Sequence, residues 1–504
     1  MTATGDTAPA GGGADRPARP FALAAVLVAS FMNQLGVTAA NVAVPAIQQE
    51  FGSGAAEMQW VLAGYTLPFA LLLVTGGRLG DLAGRRRVFL AGVTGFTLAS
   101  ALAGLADGAG VLIAARVAQG IAAALMGPQV LAVIQVMVPA VRRGAAMGAY
   151  SAVIGLSTVG GPVLGGLLVQ ADLFGWGWRA IFLLNLPLGA AVWVMGAAAV
   201  AESHGPTGRR LDLAGAVLAA TALLLLIHPL MYGADHGWPP WTWGALAAAV
   251  PALLLFLLVE RRRERAGQAP LVPLGLFRSR AFTAGLLVNL ITAALVGGFF
   301  LVFVVVLQNG LGFSPARTGL TVAPWALGTA IASMAAIGLA RRYGRPVLVG
   351  GALLTTAGMG ALTAVVHAAG TSVTSGQIVP ALLAIGVGMG LVGAPILNVT
   401  LAAGPAADAG AAAAVFTTFK QAGGAVGVAL IGTLFFTLLG PADAAGPQRH
   451  VEAVVWTLTA DVGVCLLVVL LLFLLPRSAG GEDAASPRPA APEPRPALRG
   501  RPTT

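Results

Sequence analysis

Apolar runs long enough to cross a bilayer recur along this chain, separated by short polar or Gly/Pro-rich breaks. They fall near residues 21–46, 58–79, 88–107, 110–137, 145–170, 178–200, 211–232 and 241–260. Six more follow near 281–307, 317–340, 346–367, 376–403, 411–440 and 452–475, giving about fourteen spans. The polar positions between them are not evenly basic. Arg85 to Arg87, Arg142 and Arg143, Arg209 and Arg210, Arg261 to Arg263, and Arg341, Arg342 and Arg345 occupy alternate breaks, and the intervening breaks carry almost no cation. By the positive-inside rule the arginine-rich breaks are cytoplasmic, so both termini are cytoplasmic and the number of spans is even.

Composition agrees. Of 504 residues, 57% are hydrophobic and only 10% charged, far from the roughly one-quarter charged balance of a soluble domain. The fold class is therefore an all-α polytopic membrane protein. A net charge of +10 could suggest nucleic acid as a partner, but the arginines sit between spans rather than on one soluble face, so none is expected. The lipid bilayer is the expected surroundings. The 69 glycines, with abundant alanine, suit helices that associate by close backbone approach. The lone cysteine, Cys465, lies inside the last run, where packing is its expected role. Residues 1–20 and 478–504 read as disordered tails. The domains expected between them are a first six-helix bundle over 21–200, two inserted helices with a basic linker over 201–280, and a second six-helix bundle over 281–477.

The two halves echo one another. "LAGRRRVFLAG" (Leu82 to Gly92) and "ARRYGRPVLVGG" (Ala340 to Gly351) are each a basic turn at a glycine leading into an apolar helix, as in repeat-built transporters. "GGRLGDLAGRRR" (Gly76 to Arg87) joins spans two and three. Its glycines permit a tight turn, Asp81 can bond helix amides or basic groups, and its arginines hold the loop at one face. On charge and glycine alone it reads as a topology anchor. With Gly77, Asp81, Gly84, Arg85, Arg86 and Arg87 at their spacing, it resembles the signature loop of the major facilitator superfamily, where that loop is a conformational latch.

Further stretches resemble that superfamily in order. "ARVAQGIAAA" (Ala115 to Ala124) is similar to its R-x-x-Q-G element and places Arg116 and Gln119 in span four. "GGPVLGG" (Gly160 to Gly166), with Gly161, Pro162, Gly165 and Gly166, resembles the antiporter element of span five. "WRAIFLLNLPLG", "LQNGLGFSPARTGL" and "FKQAGGAVGVA" resemble the fourteen-span drug:proton antiporter branch. The resemblance implies two six-helix bundles about a central cavity, with spans seven and eight inserted. It also implies an exporter of drugs or antibiotics from a bacterial plasma membrane, with a proton gradient as energy source and no bound cofactor. Neither a metal-ligand cluster nor a nucleophile motif is present to suggest an enzyme.

Polar groups within spans are the site candidates. Arg116 cannot neutralise, so it faces protein or a water-filled cavity, as a substrate contact or as a paired structural arginine. Pro162 bends span five, and the resemblance adds a seal against leak. Lys420, the only lysine, and Gln421 lie in span thirteen, either as a substrate site or in a structural contact. Asp461 in span fourteen and His228 in span seven can carry protons; His228, beside "HGWPPWTW", belongs near an interface and is not the expected coupling site.

Members of the branch that this chain resembles usually carry an aspartate in span one, five residues before the asparagine corresponding to Asn41, where this chain has Gly36. At about 100° per residue, Gln34, Thr38 and Asn41 share a stripe opposite Gly36 and should contact another helix, while Asn33 is the nearest polar substitute. The expected cavity contacts for a small-molecule substrate are Asn33, Arg116, Gln119, Asn398 and Gln421. With no carboxylate at position 36, Arg116 suits anionic or phenolic compounds. A monomer is expected. The alternatives are an uptake carrier for an organic anion and a membrane sensor that retains the fold without transport.

Overall fold

The computed structural model describes residues 20–204, 212–268, 270–403, 409–440 and 446–475. The terminal tails expected to be disordered lie largely outside them. Helices account for the apolar runs: α1 (Pro20–Phe51), α2 (Ala55–Ala83), α3 (Arg85–Gly104), α4 (Ala109–Met137), α5 (Ala140–Ala171), α6 (Arg179–Leu183), α7 (Asn185–Ala199), α8 (Leu213–Asp235) and α9 (Pro240–Arg265). The second half holds α10 (Arg280–Val305), α11 (Pro315–Tyr343), α12 (Arg345–Ala369), α13 (Ser375–Ala402), α14 (Ala409–Leu439) and α15 (Pro447–Leu472). No strand occurs among the described residues. With no water in a hydrocarbon layer to satisfy backbone groups, closed helices are the expected result.

Among the described residues thirteen helical segments are long and apolar enough to span, α6 with α7 counting as one, and α5 adds a fourteenth as a pair bent by 42° between Thr158 and Gly160. The bend has a local cause. Pro162 has no N–H to give the carbonyl of Thr158, four residues earlier, and its ring crowds that carbonyl.

The same packing pattern occurs in both halves. In the first, α2 and α3 pack on α4 and α1 on α5; in the second, α11 and α12 pack on α13 and α10 on α14. The turns that echo in sequence match as well. Gly84 and Gly344 both take positive φ, 102° and 66°, and each donates its N–H to a carbonyl four residues back, Gly80 O at 3.1 Å and Ala340 O at 2.8 Å. The inserted hairpin α8/α9 lies beside the pair α2 and α14.

The halves meet through α5 with α11 and α2 with α14. Hydrogen bonds across the divide lie at the face opposite the arginine-rich turns: Gln308 Nε2 to Val42 O at 3.0 Å, Asn309 Nδ2 to Gln48 Oε1 at 3.4 Å, and Ala316 N to Gln170 Oε1 at 3.3 Å. Toward the arginine-rich face α5 and α11 diverge. A methyl at Gly319 would collide with the backbone of Pro162, one at Gly155 would stand 3.9 Å from Ala330, and one at Gly148 would meet nothing within 4 Å.

Candidate functional site

The polar groups of the first half converge on one aromatic ring. Arg116, on α4, is 1% exposed; its Nε donates to Val61 O and its Nη1 to Gln119 Oε1, both at 2.9 Å. Gln119 Nε2 donates to Ser100 Oγ at 2.7 Å, and Ser100 in turn to Phe96 O. The guanidinium lies 4.5 Å over the ring of Tyr65 and 5.8 Å from that of Phe182. Tyr65 donates its hydroxyl to the side chain of Asn33 on α1. A network spanning α1, α2, α3 and α4 thus sits where bundle packing makes each unsatisfied polar group expensive. No carboxylate pairs with Arg116 among the described residues.

Gly36 belongs to the same neighbourhood. A methyl there would lie 3.4 Å from Phe96 Cζ and 4.0 Å from Tyr65 Cε2, on the side of α1 that carries Asn33. The opposite stripe packs on α5: Gln34 Nε2 reaches Thr158 Oγ1 at 3.4 Å and Thr38 Oγ1 reaches Ser157 O at 3.3 Å. The structure therefore brings Asn33, Arg116 and Gln119 together through Tyr65 and Ser100. Neither linking residue stands in a stretch that sequence reasoning singled out. Arg116 and Gln119 are sealed within the bundle in this conformation, their bonded groups committed to protein partners.

The predicted polar groups of the second half share no hydrogen bond with one another among the described residues. Asn398 on α13 and Lys420 on α14 are exposed, and Gln421 is half-buried. Asp461 on α15 is 1% exposed, and its Oδ2 has no partner. Cys465, one helical turn on, is buried and free beside a small void lined by Thr292, Leu295 and Thr355.

At the arginine-rich face, Asp81 accepts from Arg85 Nη2 at 2.8 Å and Nε at 3.2 Å. Gly77 packs on Pro128, and Gly76 abuts the carbonyl of Ala124. The loop is tied to the end of α7 by a residue missed in the sequence: Glu202 accepts from Arg86 N at 3.0 Å and lies 3.7 Å from Arg87. Arg86 also donates to Ala197 O. A side chain at Gly84 would strike Glu202 at 2.6 Å.

"GGPVLGG" joins three helices. A methyl at Gly165 would stand 3.0 Å from Ala39 O of α1, and Gly161 abuts Thr38. On the other side Gly166 abuts Pro315 O, and Pro162 O faces Gly319, both of α11. These small residues let α5 lie against both halves at backbone distance. A separate cavity of about 750 Å³, lined by Trp60, Leu224, His228 and Trp241 among others, opens between α2, α4 and the inserted hairpin. It holds none of the predicted site residues.

Two repeated helical bundles in a many-span membrane protein, bonded across one face and with α5 and α11 diverging toward the other, define a secondary-transporter architecture. The Major Facilitator Superfamily profile matches residues 26–428, and the chain belongs to that family. Among similar proteins, the probable actinorhodin transporter of Streptomyces coelicolor is 42% identical, over 83% of this chain and 73% of its own. The tetracenomycin C resistance and export protein of Streptomyces glaucescens is 36% identical over 86% and 79%. The puromycin resistance protein of Streptomyces alboniger is 35% identical over 94% and 96%. The fold matches the crystal structure of a bacterial homologue of the lysosomal transporter Spinster with a TM-score of 0.64 at 15% identity, covering 92% of this chain and 97% of that one.

Proposed function

We propose that the protein exports small, largely apolar organic compounds across a bacterial plasma membrane by alternating access, as a monomer with both termini and the arginine-rich face in the cytoplasm. The observation that carries export is similarity, over most of the chain, to relatives named for resistance and export. The clustering of arginines in alternate turns supports the orientation, since basic turns are retained on the cytoplasmic side. In this reading Asn33, Arg116 and Gln119 form the polar floor of the first half, and Asn398, Lys420 and Gln421 provide exposed polar contacts in the second. A buried cation without a carboxylate partner favours anionic or phenolic compounds.

Proton antiport is the proposed energy source. Gly36 offers no proton carrier, whereas Asp461 places a buried carboxyl with a free oxygen inside the second bundle. Inverted vesicles carrying the protein should accumulate labelled tetracenomycin C when their interior is made acidic. Asp461→Asn should reduce this accumulation about tenfold. Accumulation that ignores the pH gradient would eliminate proton antiport, and efflux from preloaded inverted vesicles without uptake would make the protein an importer.

A further inference from the structure

Two carboxyl groups outside the transport site face each other at the base of the inserted hairpin. Asp212 precedes α8 and is 1% exposed; Glu260, near the end of α9, is fully buried. Asp212 Oδ1 caps α8 by accepting from Gly215 N at 2.7 Å and takes an ion pair from Arg263 at 3.0 Å. Glu260 Oε2 accepts from Val272 N, in the linker, at 2.9 Å. Their remaining oxygens, Asp212 Oδ2 and Glu260 Oε1, have no partner. Both point into the space above Gly215, where a methyl would touch Glu260 Oε1 and lie 2.7 Å from Asp212 Oδ2. The two unpartnered oxygens therefore crowd one and the same point, with no donor between them among the described residues.

Two further charged groups of the packed elements have partners in the linker. Glu264 accepts from Gly275 N at 3.0 Å, and Arg78, on α2, donates to Pro270 O. Arg209 and Arg210 lie outside the described residues. Arg263 neutralises one of the two carboxylates, leaving a buried negative charge and two acceptors aimed at each other, an arrangement that one proton satisfies. Three or more potential metal ligands do not gather here or elsewhere among the described residues.

We infer that Asp212 and Glu260 form a proton-binding site in which one proton, taken from water at the arginine-rich face, is shared between the two carboxyl groups and fastens the linker to the inserted hairpin. With the proton in place, Glu260 stays inward and holds Val272. Its loss sets two carboxylates against each other, turns Glu260 toward water and releases the linker that leads into α10. The inference does not depend on what is transported or in which direction.

Infrared difference spectra of the full-length protein in lipid nanodiscs, titrated through neutral pH, test it. The wild type should show a protonated-carboxyl band that is absent from both Glu260→Gln and Asp212→Asn and retained in Asp461→Asn. A band missing from the wild type, unchanged in both variants, or lost from only one of them overturns the sharing. Glu260→Gln mimics the protonated form and should fold. Hydrogen exchange at Val272 should be about tenfold faster in the wild type than in Glu260→Gln at alkaline pH, and equal in the two at acid pH. Equal rates at every pH overturn the latch.

Discussion

Arg116 is the residue on which the first half's polar groups depend. Its planar guanidinium serves two acceptors, Val61 O and Gln119 Oε1, while lying over the ring of Tyr65. An ammonium carries the same charge but cannot reproduce that fork or stack in the same way. Arg116→Lys should therefore lower transport about tenfold with the protein still made in normal amount, as efflux assays and quantitative blotting would show. Undiminished efflux would remove the guanidinium geometry from the mechanism. The direction of Asn33 was legible in the helical period of span one, as was the contact of Gln34 and Thr38 with another helix. Tyr65 and Ser100 were not, because a hydroxyl becomes part of a network only when packing brings its partner from another helix.

At the scale of elements, glycine sets how closely helices approach. Gly166 of α5 and Gly319 of α11 each abut backbone atoms of the other helix, so any side chain there must push the helices apart. Gly166→Leu should wedge α5 from α11 at a cost of about 1–3 kcal/mol. The consequence is measurable: a cysteine in place of the buried Ala316 should react severalfold faster with an impermeant maleimide in the Gly166→Leu background. Equal rates would mean that the contact does not seal that face. The motif reading anticipated a bend and a seal at Pro162, and the bend lies where the proline deprives Thr158 of its hydrogen bond. Which helices lie on either side of the glycines was beyond reach, because spacing within one helix says nothing about its neighbours. Glu202 escaped notice for the same reason. It lies after α7, far along the chain from the loop it braces.

For the whole molecule, alternating access requires the contacts at one face to break as those at the other form. Gln48 and Asn309 belong to different halves and meet at the closed face, 3.4 Å apart at their side-chain amides. Replacing both with cysteine and bridging them with a short, reducible bis-thiol cross-linker should hold that face shut and lower transport at least about tenfold, with recovery after reduction. The native Cys465 is buried and should not interfere. Transport that persists after complete cross-linking would show that the halves need not separate there.

What the sequence by itself determined is what a bilayer imposes locally. Run length, apolar content and the alternation of arginine turns specify helices, their number and their alternating direction, because each helix satisfies its own backbone and each charge avoids hydrocarbon. The ordered motifs added the family, and the echo of the turns at Gly84 and Gly344 its repeat. Only the tertiary structure decided which polar groups face one another. It gathered Asn33, Tyr65, Ser100, Arg116 and Gln119 from four helices, left Asp461 alone in the other bundle, and aimed Asp212 at Glu260 across the base of the hairpin. Such pairings depend on rotation and approach between helices, which small residues at distant positions control jointly and no single stretch of chain records.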